Sequence, residues 1–116
     1  MMKVSFDGIG SLVMTFMNNK TAPAALNGPV AMSGNGEVKA APADAAIVGV
    51  CVGGDKECAA VQMRGVVTCT YTGTAPAVGY AALAAAADGK VAAKSGSREF
   101  PVLAVDTTAK TVTFVL

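Results

Sequence analysis

Turn signals built on glycine interrupt this chain at short intervals and leave little room for long helices. They are Asp7-Gly8, Asn27-Gly28, Asn35-Gly36, Gly53-Gly54, Gly65, Gly73 and Asp88-Gly89. The runs between them are rich in Val and Thr, which favour strands. Because short strand-like runs separated by turn residues are typical of barrels and sandwiches, the sequence predicts an all-β domain.

The runs define nine predicted strands, some of them with a turn residue inside. They are Ser11–Met17, Pro29–Ser33, Glu37–Ala40, Ile47–Val52, Cys58–Tyr71, Gly79–Ala86, Lys90–Ala93, Pro101–Asp106 and Lys110–Leu116. Cys58–Tyr71 is long for a strand, so Gly65 is expected to bend it as a bulge. The last two strands are expected to form an antiparallel hairpin, with Phe114 and Leu116 pointing inward.

The segment Ala81–Lys94 has two interpretations. Alanine is the best helix former, so propensity alone favours a helix. Asp88-Gly89 in the middle of the segment favours a hairpin, because Gly takes positive φ without strain and Asp tolerates it. We prefer the hairpin.

The chain contains an approximate repeat. GPVAMSGNGEVKA (28–40) precedes IVGV (47–50), and GYAALAAAADGKVAA (79–93) precedes VLAV (102–105). The repeat predicts a small β-barrel or sandwich of antiparallel hairpins with approximate internal two-fold repetition, spanning residues 28–116. Residues 1–27 lie outside it, either as a docking arm for a shell or a neighbouring subunit or as an edge strand packed on its own core. This segment carries the candidate interface residues Leu12, Met14, Phe16 and Met17.

Composition excludes several partners. Nine basic and eight acidic residues leave the chain nearly neutral, and the basic residues are not interleaved with aromatic ones. Neither nucleic acid nor an acidic membrane is therefore an expected partner. No apolar run is long enough for a secretory or membrane-spanning segment, so we expect a soluble protein folded in a cytoplasm.

The sequence offers no catalytic constellation. The chain has no histidine, which removes the commonest general base near neutral pH and excludes Ser-His and Cys-His pairs. Its glycines do not form a phosphate-binding loop. The three cysteines match no zinc-site spacing. The sequence therefore predicts a protein that is not an enzyme and has no cofactor and no metal.

Two of the cysteines flank the turn VGGDKE. An even-length hairpin loop centred between Gly54 and Asp55 would place Cys51 directly opposite Cys58. In a reducing cytoplasm we expect both thiols to stay free and to behave as small apolar groups.

The order of motifs from Gly28 onward resembles a known family. IVGV (47–50), AVQMRGVV (60–67), VGYAAL (78–83), DGKV (88–91) and TVTFVL (111–116) follow one another. This pattern is similar to the capsid decoration, or head cement, proteins of tailed phages. The resemblance implies a non-enzymatic virion protein, commonly a homotrimer, that binds the major capsid protein on the outside of the assembled head and stabilises it. It would be made in the host cytoplasm and end on the capsid surface.

A second hypothesis rests on one lysine. Lipoyl and biotinyl carrier domains are small β folds with a modified lysine at a hairpin tip, and Asp55-Lys56 is expected at such a tip here. Gly53-Gly54 replace the acidic residues expected before that lysine. The alternative function is therefore a cellular carrier or binding domain.

Overall fold

The structure, a computed structural model, describes residues 11–116. The first ten residues of the predicted N-terminal segment, with the turn expected at Asp7-Gly8, lie outside the described residues. The described residues form ten strands: β1 Leu12–Asn18, β2 Pro29–Gly34, β3 Glu37–Ala40, β4 Gly49–Gly54, β5 Cys58–Arg64, β6 Val66–Thr70, β7 Gly79–Ala86, β8 Lys90–Ala93, β9 Glu99–Asp106 and β10 Thr111–Val115.

The first five strands close into a barrel with the order β1-β3-β2-β4-β5; we call it the N-terminal barrel. β1 pairs antiparallel with β5 along most of its length. It pairs in parallel with β3 at Met17 and Asn18. Within the described residues, β1 therefore has strand neighbours on both sides and completes the barrel wall.

The last five strands form a sheet with the order β6-β10-β9-β7-β8; we call it the C-terminal sheet. Its neighbouring strands are all antiparallel. The sheet curls, so that the residue after β6 meets β8 in a parallel bridge between Tyr71 and Val91. The predicted all-β class, with a barrel and antiparallel hairpins, is confirmed.

The repeat takes in more of the chain than the sequence indicated. The series β3-β2-β4-β5 has the same pairing order as β8-β7-β9-β10. β1 and β6 complete the two halves in the same way, because Asn19 N donates to Val38 O and Thr72 N donates to Val91 O, both at 2.9 Å. The repeat matched the correct strands, β4 and β9, but in another register. Both strands shift against the next strand, at Val52 and at Leu103, so Val50 corresponds to Pro101, and the pair Pro29–Val50 corresponds to the pair Tyr80–Pro101.

Gly65 separates the two halves. The predicted strand Cys58–Tyr71 is two strands, and Gly65 is the break between them rather than a bulge within one. Gly65 has a φ of +101°, which favours glycine. The buried side chain of Gln62 donates to the carbonyls of Arg64 and Val66, each at 3.1 Å. These bonds hold the chain where it leaves one half for the other.

The two halves have cores of different size. The N-terminal barrel encloses Val30, Val38, Cys51, Ala59 and Val61. The C-terminal sheet encloses larger side chains, including Phe100 and Phe114, whose rings meet edge to face with centroids 5.2 Å apart. Phe114 points inward as predicted, and Leu116 is partly buried against the same cluster.

The segment 81–94 is a hairpin, as the turn signal predicted. β7 and β8 pair from Leu83–Ala93 to Ala86–Lys90. Asp88 and Gly89 both have positive φ, 62° and 72°. Tertiary pairing overrides the helix propensity of the alanines because both neighbouring strands bond to β7, and the side chains of Ala84, Ala85 and Ala86 are buried.

Candidate interaction surface

The largest group of exposed apolar side chains among the described residues lies on β1. The exposed fractions are 46% for Leu12, 50% for Val13, 45% for Met14 and 55% for Met17. Phe16 is partly buried and packs against the core of the N-terminal barrel. Three of the four candidate interface residues are thus exposed, and the fourth anchors the strand. Sequence reasoning missed Val13.

The twin strand β6 shows that the fold does not require this exposure. The matching bonds of Asn19 and Thr72 align Val13-Met14-Thr15 with Val66-Val67-Thr68. Val67 is only 5% exposed, whereas Met14 occupies the same place and is nearly half exposed. Thr70, the counterpart of Met17, is exposed but polar. The apolar surface of β1 therefore exceeds what its structural role demands.

β1 itself carries no charge, and its charged neighbours in the sheet lie at its two ends, Arg64 opposite Leu12 and Glu37 beside Met17. No charged residue occurs from Ser11 to Asn19, and none from Cys58 to Met63 on the adjoining β5. The exposed thiol of Cys58 lies directly opposite Met17 in the strand register. A strand without charges of its own loses little solvation when a partner covers it, which suits it to protein contact.

A second exposed apolar group lies at the start of β7. Val78 and Tyr80 are 66% and 71% exposed, and Tyr80 pairs with Pro101 of β9. Tyrosine is enriched at the centres of protein interfaces. Sequence analysis gave Tyr80 no role. The repeat offered one signal, because Tyr80 occupies the position that Pro29 has in the first copy.

The tip of the β4–β5 hairpin borders a shallow cleft of about 630 Å³. Lys56 is exposed at this tip, where the sequence placed it. Asp55 Oδ1 accepts backbone hydrogen bonds from Glu57 (2.8 Å) and Cys58 (3.0 Å). These two donors lower the pKa of the Asp55 carboxyl below its usual value. The cleft thus has one free amine and a carboxylate already committed to the turn.

The predicted facing of Cys51 and Cys58 was wrong. Cys51 pairs with Val61, and a register shift at Val52 moves the two strands relative to each other. Cys58 lies three residues further along β5, about 10 Å at the rise of a strand. Two cysteines this far apart cannot form a disulfide without backbone movement. The turn formed by Asp55 sets this register. The prediction from the sequence counted loop residues and did not include the hydrogen bonds of that turn.

The three free thiols are expected to differ in reactivity. Cys58 is exposed, whereas Cys51 and Cys69 are buried, and burial raises the pKa of the Cys69 thiol to about 12. Titration with Ellman's reagent at mildly alkaline pH should find one fast thiol in the folded protein and three after unfolding without reductant. The Cys58→Ser variant is the control, and it should lose the fast phase. Two fast thiols in the native protein would contradict the burial of Cys51 and Cys69.

Within residues 11–116, no group of three or more His, Cys, Asp or Glu side chains could hold a metal ion. In the same range, no helix has the length and apolar character needed to cross a bilayer. Comparisons with protein-family models, with curated proteins and with solved structures find no match to this chain.

Proposed function

We propose that this chain is a non-enzymatic structural protein of a virus particle, a decoration protein that binds the outside of an assembled tailed-phage head and stabilises it. Its partners are the major capsid protein and further copies of itself, in a homotrimer. The exposed, uncharged surface of β1 is the observation that carries the proposal. The resemblance of the glycine and strand pattern to head cement proteins supports it.

The two faces of β1 make different contacts. Residues directly paired across antiparallel strands lie on the same face of the sheet, and Met14 pairs with the interior residue Val61. Val13 and Met17 alternate with Met14 and therefore lie on the outer face of the barrel wall. We assign this outer face to the shell.

The proposed binding depends on the burial of apolar side chains and requires no chemical reaction. Covering a large apolar side chain contributes roughly 1.5–3 kcal/mol. Several copies of a small rigid domain, joined in one oligomer, then bind a repeating shell with added strength because the later contacts are intramolecular. Each such contact resists separation of the shell subunits beneath it.

The test uses particles purified by density gradient from cultures that produce the chain. The chain should be recovered with expanded heads, and immunogold electron microscopy should label the outside of the shell at its three-fold positions. The double variant Val13→Lys, Met17→Lys should reduce the particle-bound amount about tenfold or more. Leu26→Lys, which places the same charge at another exposed apolar position, should bind normally. Recovery of the wild-type chain only in the particle-free fraction would overturn the proposal.

A carrier domain is the second candidate function, because Lys56 is exposed at a hairpin tip beside a cleft. In this case the native chain would carry a covalent adduct that intact mass spectrometry detects. The Lys56→Arg variant would lose the adduct while keeping the fold. An unmodified native mass removes this candidate and leaves the first one standing.

A further inference from the structure

The two halves of the chain meet through an apolar contact and, beside it, through backbone hydrogen bonds that join Ala85 to Asp44 and Ala45. Pro29 and Val50 pair on the outer face of the N-terminal barrel, and both are almost fully buried. Val50, together with Ile47, belongs to the core cluster of the C-terminal sheet, the cluster that also contains Val67. The outer face of one half therefore covers the interior of the other.

The C-terminal sheet has its own copy of this covering face. In the strand register, the pair Tyr80–Pro101 corresponds to the pair Pro29–Val50. Pro29 is buried, but Tyr80 has most of its surface in solvent and Val78 beside it is equally exposed. The covering face of the second half thus has nothing to cover within the described chain.

The N-terminal barrel has its own copy of the covered interior. Val67 is buried in the cluster that Val50 joins. Its counterpart, Met14, faces the barrel interior through its pairing with Val61, yet remains nearly half exposed together with Leu12. Within residues 11–116, this end of the barrel is therefore uncovered, whereas the matching end of the C-terminal sheet is covered.

We propose that these two unpaired surfaces bind each other between copies of the chain. The Tyr80–Pro101 face of one copy covers the Met14 end of the next copy, repeating between molecules the contact that Val50 makes within one. The named residues on both sides are uncharged, so identical chains pack there without charge repulsion. We assign a second copy as the partner because the equivalent face of the N-terminal barrel already packs on the other half of the fold within one chain.

A contact between two different surfaces has a defined consequence for assembly. Such a head-to-tail contact makes rings when the rotation closes and filaments when it does not. The closed form accounts for the homotrimer of the proposed function. The inference rests on the proposed function only for the expected number of copies, three. The contact between copies does not include Val13 and Met17, which are assigned to the shell.

Size-exclusion chromatography with light scattering tests the contact directly. Wild-type protein should be oligomeric, and Tyr80→Asp and Met14→Asp should each raise the dissociation constant at least about a hundredfold, because each buries a charge without a partner. Leu26→Asp, at a third exposed apolar site, should assemble like the wild type. Circular dichroism of each variant checks that the fold is retained.

Mixing the two variants distinguishes this arrangement from a symmetric one. Tyr80→Asp keeps an intact Met14 end, and Met14→Asp keeps an intact Tyr80 face, so the mixture should form a heterodimer but no larger species. A monomeric wild-type protein, or a Tyr80→Asp variant that assembles normally, would refute the proposal. A wild-type chain that assembles as described but does not bind heads would instead count against the proposed function alone.

Discussion

Replacing Phe114 by alanine is expected to lower the free energy of unfolding by about 3–5 kcal/mol, the usual cost of removing a fully buried phenyl ring. Phe114 has no exposed surface and packs edge to face on Phe100 in the larger of the two cores. The cavity left behind is bounded by strands of the same sheet, which limits collapse. Urea denaturation should show a lower midpoint with an unchanged slope.

Phe16→Ala provides the control for the same chemical change. Phe16 is only partly buried at the edge of the smaller core, so its loss should cost clearly less. Equal costs for the two variants would show that the C-terminal core does not dominate the stability of the fold.

Gly54→Ala is expected to destabilise the protein by about 2–6 kcal/mol, the sum of backbone strain and overpacking. Gly54 has a φ of +120°, and an added Cβ would overlap the carbonyl oxygen of Cys58 and lie 2.9 Å from Cα of Ala59. Either the β4–β5 hairpin opens or its register shifts. Since total stability is of order 5–15 kcal/mol, thermal unfolding should detect the change easily.

The neighbouring glycine is a matched control. A Cβ at Gly53 would meet no atom within 4 Å, and its backbone lacks the positive φ of Gly54. Gly53→Ala should therefore change stability by less than about 0.5 kcal/mol. A large loss at Gly53, or none at Gly54, would contradict the geometry of this hairpin.

Much of the fold was predictable because its turns are local. Asp88-Gly89 defined a hairpin correctly against the helix propensity of the surrounding alanines, since positive φ at both turn residues is a property of those two residues. The alternation in Thr111–Val115 likewise identified Phe114 as an inward residue. These features depend on nearest neighbours along the chain.

Strand register was less predictable. Cys51 and Cys58 were expected to face each other, but the Asp55 turn and the shift at Val52 placed Cys51 opposite Val61. A single extra residue in one strand changes every pair beyond it. The division of Cys58–Tyr71 at Gly65 also depended on which strands each part joins, and no local pattern specifies that.

The class of the fold, the positions of its turns and the absence of histidine could be read from the amino-acid sequence, because all three follow from residue types and short spacings. Which apolar residues are exposed depends on long-range packing. Val-Met-Thr in β1 and Val-Val-Thr in β6 have the same local pattern and the same place in their halves. Val67 is buried and Met14 is not, and Val67 belongs to a core cluster to which the other half of the chain contributes Ile47 and Val50.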